Sequence, residues 1–308
     1  MKMTKGSLLD SWILYRCAEF LSGILPQRVF LFFVEGLVQG AFFAFFRKNR
    51  MILMRNFSLV FRHLTKSELK WLVLRNYRNF ANFIYEFIRI PTMNLEMVRK
   101  NFVVEGLERV VEALRMGKGA ILVTAHLGNW EMGGIATTLW GFPITVIAWP
   151  HRSKWVTDYF ARRRASKGLK VVHVGNAIKE ILRALQRNEC VAILADRDFT
   201  RRGIFIPFFG KLVRFPVGAF QLSARTGAPV IPVFNIRRRD GKYSLIFESP
   251  ILYQKEGKRV ESRESLPPLQ EILKECLRRW VSTLEKYVKK YPEQWYLFEP
   301  LFDPSLKL

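Results

Sequence analysis

The sequence predicts an α/β fold: a mostly parallel central sheet flanked by helices, preceded by an N-terminal helical region. Three observations predict it. Short apolar runs of strand length recur from about Asn101 onward. Segments with apolar residues every three to four positions fall between many of those runs. Before that point the helical spacing stands alone. Strand–helix–strand alternation favours parallel pairing, because each crossover helix covers a face of the sheet. With 308 residues the chain can hold one large α/β domain and a helical annex. The expected division is 1–95 for a helical, membrane-associating region and 96–308 for the α/β domain.

The elements follow in order. Residues 8–90 read as helical, most clearly over 67–90, where Lys66, Ser67 and Glu68 mark the start and Pro91 the stop. The longest apolar segment, 29–46, is barely long enough to cross a bilayer and carries Glu35 and Gln39 on one helical face. Gly36 and Gly40 lie beside them, and Arg47, Lys48 and Arg50 follow. This pattern fits a helix that lies in or dips into a membrane, with cations at the anionic cytoplasmic leaflet; a buried helix of a soluble protein is the alternative. Strands are expected at 102–106, 120–125, 144–149, 169–174, 191–195, 229–234 and 243–248. Helices are expected within 106–119, 176–188 and 215–227, a charged loop at 255–268 and a last helix at 269–290.

Composition bounds the partners. Fifty Lys and Arg against 26 Asp and Glu give a net charge of +24, and Phe occurs 26 times. Excess positive charge implies an anionic partner: nucleic acid, an anionic membrane surface or an acidic carrier. Cys17, Cys190 and Cys276 are far apart and form no CxxC, so neither a zinc site nor a redox motif is indicated. The basic start lacks an apolar core and cleavage site of the kind that marks a secretory signal.

One segment carries chemistry. In AILVTAHLGNWEMGG (120–134) a buried-strand run delivers His126 at its tip, with Glu131 five positions on at the start of a helix. Imidazole paired with a carboxylate makes a general base, and Glu131 would hold its tautomer. Asn129 would cap the helix, whose N-terminal amides favour developing negative charge. Gly128 would allow close approach of a substrate to the backbone. Trp130 can be plain packing. Asp196 and Asp198 follow the run 191–195, so both motifs would meet at the carboxyl edge of one sheet. Two carboxylates are too few to hold a divalent cation, and Asp198 can instead shape its loop. HExxH, GxSxG and a phosphate loop are all absent.

These residues carry a family resemblance. TAHLGNWE, the block ADRDFTRRGIFIPFFGKLVRFPVGAFQLSARTGAPVIPVF (195–234) and PEQWYLF (292–298) occur in the order found in the late acyltransferases of lipid A biosynthesis. That family stands within the glycerolipid and lysophospholipid acyltransferases. The resemblance implies an O-acyltransferase with His126 as base and Glu131 as its partner. It implies substrate contacts for Arg164 and Arg162, in the run 162–164, and for Asp198, Asp196 and Asn129. Phe208 and Phe209 would line an acyl-chain groove. The donor implied is acyl carrier protein or acyl-coenzyme A, and the acceptor an anionic glycolipid. The place implied is the cytoplasmic face of the cell inner membrane, with no nucleic acid partner and no metal or other cofactor. After PEQW the sequence continues with Glu299, Pro300 and Leu301 where a basic cluster is usual. The acceptor is therefore open, and the phosphatidylinositol mannoside branch varies at the same end. Two rival readings remain: a non-catalytic binding protein, and a thioesterase using the same His with water.

Overall fold

The computed structural model describes residues 12–26, 29–30, 32–33, 36, 47–173, 177–251 and 269–301. The segment 29–46 and the loop 255–268 therefore fall wholly or mostly outside the described residues. Helices α1 (Trp12–Ile24), α2 (Arg47–Val60), α3 (Lys66–Ile88) and α4 (Leu95–Asn101) precede the first strand. Strands follow as β1 (Phe102–Glu105), β2 (Ala120–Thr124), β3 (Ile144–Ala148), β4 (Lys170–His173) and β5 (Cys190–Leu194). Between them lie α5 (Leu107–Arg115), α6 (Trp130–Leu139), α7 (Lys154–Ala165) and α8 (Ala177–Gln186). Then come β6 (Ile204–Phe208), β7 (Lys211–Phe215), α9 (Gly218–Thr226), β8 (Val230–Arg237), β9 (Tyr243–Phe247) and α10 (Leu269–Lys290).

Seven strands form one sheet in the order β1-β9-β8-β2-β5-β3-β4. All neighbours pair parallel except β8 and β9, so the sheet is mostly parallel as the alternation predicts. Strand β2 sits between β5 and β8, with Thr124 opposite Leu194 and Val123 opposite Pro232. Its side chains alternate between two cores. Ile121 and Val123 join the core under α8, α9 and α10, while Ala120 and Leu122 join the one under α5, α6 and α7. The helices before residue 95 share these cores: Leu69, Val73 and Tyr77 of α3 enter the first and Phe87 the second.

Helix α3 begins at Lys66, the first residue of its sequence signal. Thr65 is the N-cap, and its hydroxyl and the Glu68 carboxylate satisfy each other's backbone amides in a capping box. Residues 204–215 form an antiparallel hairpin separate from the main sheet. Phe209 and Gly210 make its two-residue turn, both with positive φ (51° and 71°), the backbone that matches hairpin twist.

Helix α1 leaves Trp12, Ile13, Phe20, Leu21 and Ile24 exposed, while Tyr15 packs on Tyr159 and Phe160 of α7. Among the described residues, no helix is long and apolar enough to cross a membrane.

Candidate active site

Parallel pairing of β2 with β5 in register brings the residues just past their carboxyl ends side by side. The Ala195 amide continues the ladder to the Thr124 carbonyl at 2.8 Å, which sets His126 against Asp196. One carboxylate oxygen of Asp196 accepts from the His126 backbone amide at 3.0 Å, and the other lies 2.8 Å from its Nδ1. Asp196 thus fixes both the backbone and the ring of His126. Burial pushes the Asp196 carboxyl up, but the His126 charge and hydrogen bonds, with Arg197, outweigh it and hold the pKa below the usual carboxylate value. An ionised carboxylate only accepts, so Nδ1 is the donor, which leaves Nε2 as the ring nitrogen available for proton transfer. The His126 side chain retains 18% of its exposure, so the ring is reachable from solvent.

The acid that holds His126 is therefore Asp196, and this corrects the expected pairing with Glu131. Both Glu131 oxygens are engaged by Arg164, Nε to Oε2 at 2.8 Å and a terminal nitrogen to Oε1 at 2.6 Å. This planar two-point contact suits guanidinium and carboxylate, and both side chains are largely buried. Trp130 Nε1 also donates to Glu131 Oε1 at 3.2 Å, while the Trp130 ring meets the His126 ring edge-on at 5.1 Å. Trp130 is thus a wall of the site and links the ion pair to the imidazole. Phe83, 4.4 Å away between ring centres, and Tyr296 back it.

Asn129 caps α6 as its position predicts, its Oδ1 accepting from the Met132 amide at 3.0 Å. Gly128 has φ +67°, and a Cβ there would meet the Asn235 carbonyl at 2.1 Å, so the close approach it permits is by β8 rather than by a substrate. Asp198 shapes its loop: it accepts from the Thr200 amide and hydroxyl and from the Gly203 amide. Arg164 reaches the site, but Arg162 is exposed and lines a groove with Trp12, Arg16 and Trp155. Arg163, between them, is buried against Glu19 and the Ile88 carbonyl. Phe208 is fully buried among Phe209, Phe215 and Trp295, so it is core and not a groove wall. Phe209 is partly buried and packs near Phe61.

The PEQW segment turns out to build the site's floor. The Tyr296 amide donates to the His126 carbonyl at 2.8 Å, and the Gly128 amide to the Gln294 carbonyl at 2.9 Å. The Gln294 side chain accepts from the Arg237 amide and donates to the Arg237 carbonyl, like an added strand residue. Arg197 donates to the Tyr296 carbonyl. Asn76 Nδ2 reaches the Trp295 carbonyl at 2.7 Å, and Asn56 Nδ2 the Leu297 carbonyl at 3.1 Å. Two further residues escaped the sequence reading altogether. Glu86 of α3 is buried, accepts from Asn129 Nδ2 at 2.6 Å and lies 3.1 Å from Arg237 Nε. A single buried Glu inside an apolar helix was the only signal that pointed to it.

The bacterial lipid A biosynthesis acyltransferase family model matches residues 2–303. A phosphatidylinositol mannoside acyltransferase of Mycobacterium tuberculosis (strain CDC 1551 / Oshkosh) is 31% identical over 167 residues, 52% of this chain and 53% of that protein. Its counterpart from Mycolicibacterium smegmatis is 30% identical over 166 residues, 53% of this chain and 55% of that protein. These matches span about half the length of those relatives. The lipid A biosynthesis palmitoleoyltransferase of Escherichia coli (strain K12) is 25% identical over 253 residues, 82% of this chain and 78% of that protein. With its strands, its His–Asp pair and its C-terminal floor all inside the matched range, the chain belongs to the bacterial lipid A biosynthesis acyltransferase family.

Proposed function

We propose that this protein is a membrane-associated O-acyltransferase that moves a fatty acyl group from a thioester to a hydroxyl of a lipid A precursor or related glycolipid. The observation that carries the reading is the His126–Asp196 pair at the sheet's carboxyl edge, with Nδ1 engaged and Nε2 left to act. In this reading Nε2 takes the proton of the acceptor hydroxyl, and the oxygen attacks the thioester carbonyl. The tetrahedral oxyanion collapses, the C–S bond breaks, and the proton passes from Nε2 to the departing thiolate. The α6 N-terminus, capped by Asn129, favours the developing negative charge. Glu131, paired with Arg164, accepts from Trp130 Nε1 and so fixes the ring that meets the imidazole. The donor is acyl carrier protein or acyl-coenzyme A, and the net charge of +24 suits an acidic carrier and a phosphorylated lipid alike. The exposed apolar face of α1 supports association with the inner membrane at its cytoplasmic face.

A second acceptor is favoured by one observation: identity is 31% over 167 residues to a phosphatidylinositol mannoside acyltransferase, against 25% over 253 residues to the lipid A palmitoleoyltransferase. The test is acyl transfer by the purified full chain, with lauroyl-acyl carrier protein or lauroyl-coenzyme A as donor. A lipid A precursor and a phosphatidylinositol mannoside are offered in parallel, with products read by mass spectrometry. One acylated glycolipid is expected, and His126→Ala should lower its formation by about 10³-fold or more. Undiminished transfer by that variant, or release of free fatty acid alone, contradicts the reading.

A further inference from the structure

A circuit of polar contacts closes beneath the turn that presents His126. Glu86 Oε2 accepts from Asn129 Nδ2 at 2.6 Å. Asn129 follows Gly128, whose amide donates to the Gln294 carbonyl at 2.9 Å. The Gln294 side chain grips the Arg237 backbone at 3.0 and 2.8 Å. Arg237 Nε returns to Glu86 Oε1 at 3.1 Å. Asn235 crosses the circuit, its carbonyl accepting from the Asn129 amide and its side chain donating to the Asn129 carbonyl, each at 2.8 Å. Glu86, Asn129, Asn235 and Gln294 are all nearly inaccessible to solvent.

Burying such a set costs free energy that an apolar filling would avoid, so orientation is the return that explains it. The orientation at stake is that of the Asn129 amide. Its oxygen must face the Met132 amide to cap α6, which forces its nitrogen the other way. Glu86 Oε2 provides the acceptor there; burial pushes the Glu86 carboxyl up, while the Arg237 charge and the hydrogen bond from Asn129 itself oppose that shift, so the flipped amide forfeits the bond that favours the carboxylate.

We propose that Glu86 and Gln294 are positioning residues for acyl transfer, holding the turn 126–129 and the N-terminus of α6 in the register that the His126–Asp196 pair requires. This inference rests on the acyltransferase reading. It makes α3 part of the catalytic apparatus through a hydrogen bond rather than through packing alone.

The experiment exploits the direction of one hydrogen bond. Asn129→Asp sets two carboxylates face to face. Expected is a fall in kcat of about 100-fold with KM within about threefold, since misplacement of reacting groups is read in turnover. Adding Glu86→Gln restores a donor–acceptor pair with its direction reversed, and kcat should recover to within about tenfold of the parent. Glu86→Gln alone should lose about tenfold in kcat. Lauroyl-acyl carrier protein and a lipid A precursor are the substrates, with circular dichroism confirming the fold of each variant. A double variant no faster than Asn129→Asp, or an Asn129→Asp enzyme within about twofold of the parent, overturns the proposal. Should Asn129→Asp not fold, Gln294→Glu tests the opposite side of the circuit: a kcat loss is expected, and full kcat overturns the proposal. An inactive parent, or full activity in His126→Ala, instead sinks the acyltransferase reading itself.

Discussion

Asp196 spends both of its oxygens on one residue, and that fixes both the backbone and the ring of His126. Its folded pKa is depressed, so its contribution to stability is present above the ordinary carboxylate pKa of about 4 and is lost as pH falls through the lower folded value. Urea midpoints of the parent should therefore drop toward those of Asp196→Asn as pH falls from neutrality to about 2, the two being furthest apart near pH 7. Parallel curves would contradict this account. His126 was legible from the sequence because a strand run ends on it. Its partner was expected to be Glu131, because that carboxylate is near in sequence, whereas Asp196 is near only once β2 and β5 pair. Arg164 then decides the matter by occupying Glu131.

At the scale of elements, the C-terminal segment after α10 acts as a support for the β2–α6 turn. It bonds to His126 and Gly128 on one side and to asparagines of α2 and α3 on the other. Asn76 is fully buried, so Asn76→Ala withdraws the 2.7 Å donor from the Trp295 carbonyl. A loss of about 1–3 kcal/mol in urea unfolding is expected, and an unchanged midpoint contradicts the support role. The sequence identifies this segment as a motif but not its purpose, since its asparagine partners lie more than 200 residues away. The hairpin β6–β7 was hidden for a local reason. Pro207 demotes a strand, and its turn uses Phe209-Gly210 where Asn-Gly would announce it. Strands β2 and β8 were readable because central strands buried on both faces are continuous apolar runs.

Across the whole molecule, two surface properties converge on a lipid interface: a net charge of +24 and the exposed Trp12, Phe20 and Ile24 of α1. Binding to vesicles of about 30% anionic phospholipid should weaken as salt rises, with a salt-resistant remainder supplied by the apolar face. Phe20→Ser with Ile24→Ser should remove that remainder and leave the salt-sensitive part. Binding that ignores both lipid charge and these substitutions would contradict the membrane reading. Topology accounts for the position of the chemistry. The carboxyl ends of β2, β5 and β8 adjoin, and they supply His126, Asp196 and the Asn235–Arg237 stretch to one edge.

The central claim is that His126 acts as the base because Asp196 holds it. Single-turnover acyl transfer by Asp196→Asn and by Glu131→Gln, at saturating donor and acceptor, tests it most directly. The account predicts a fall of about 10³- to 10⁴-fold for Asp196→Asn, in which the wrong tautomer is favoured, and a smaller loss for Glu131→Gln. A full rate in Asp196→Asn, or a larger loss in Glu131→Gln, would contradict it.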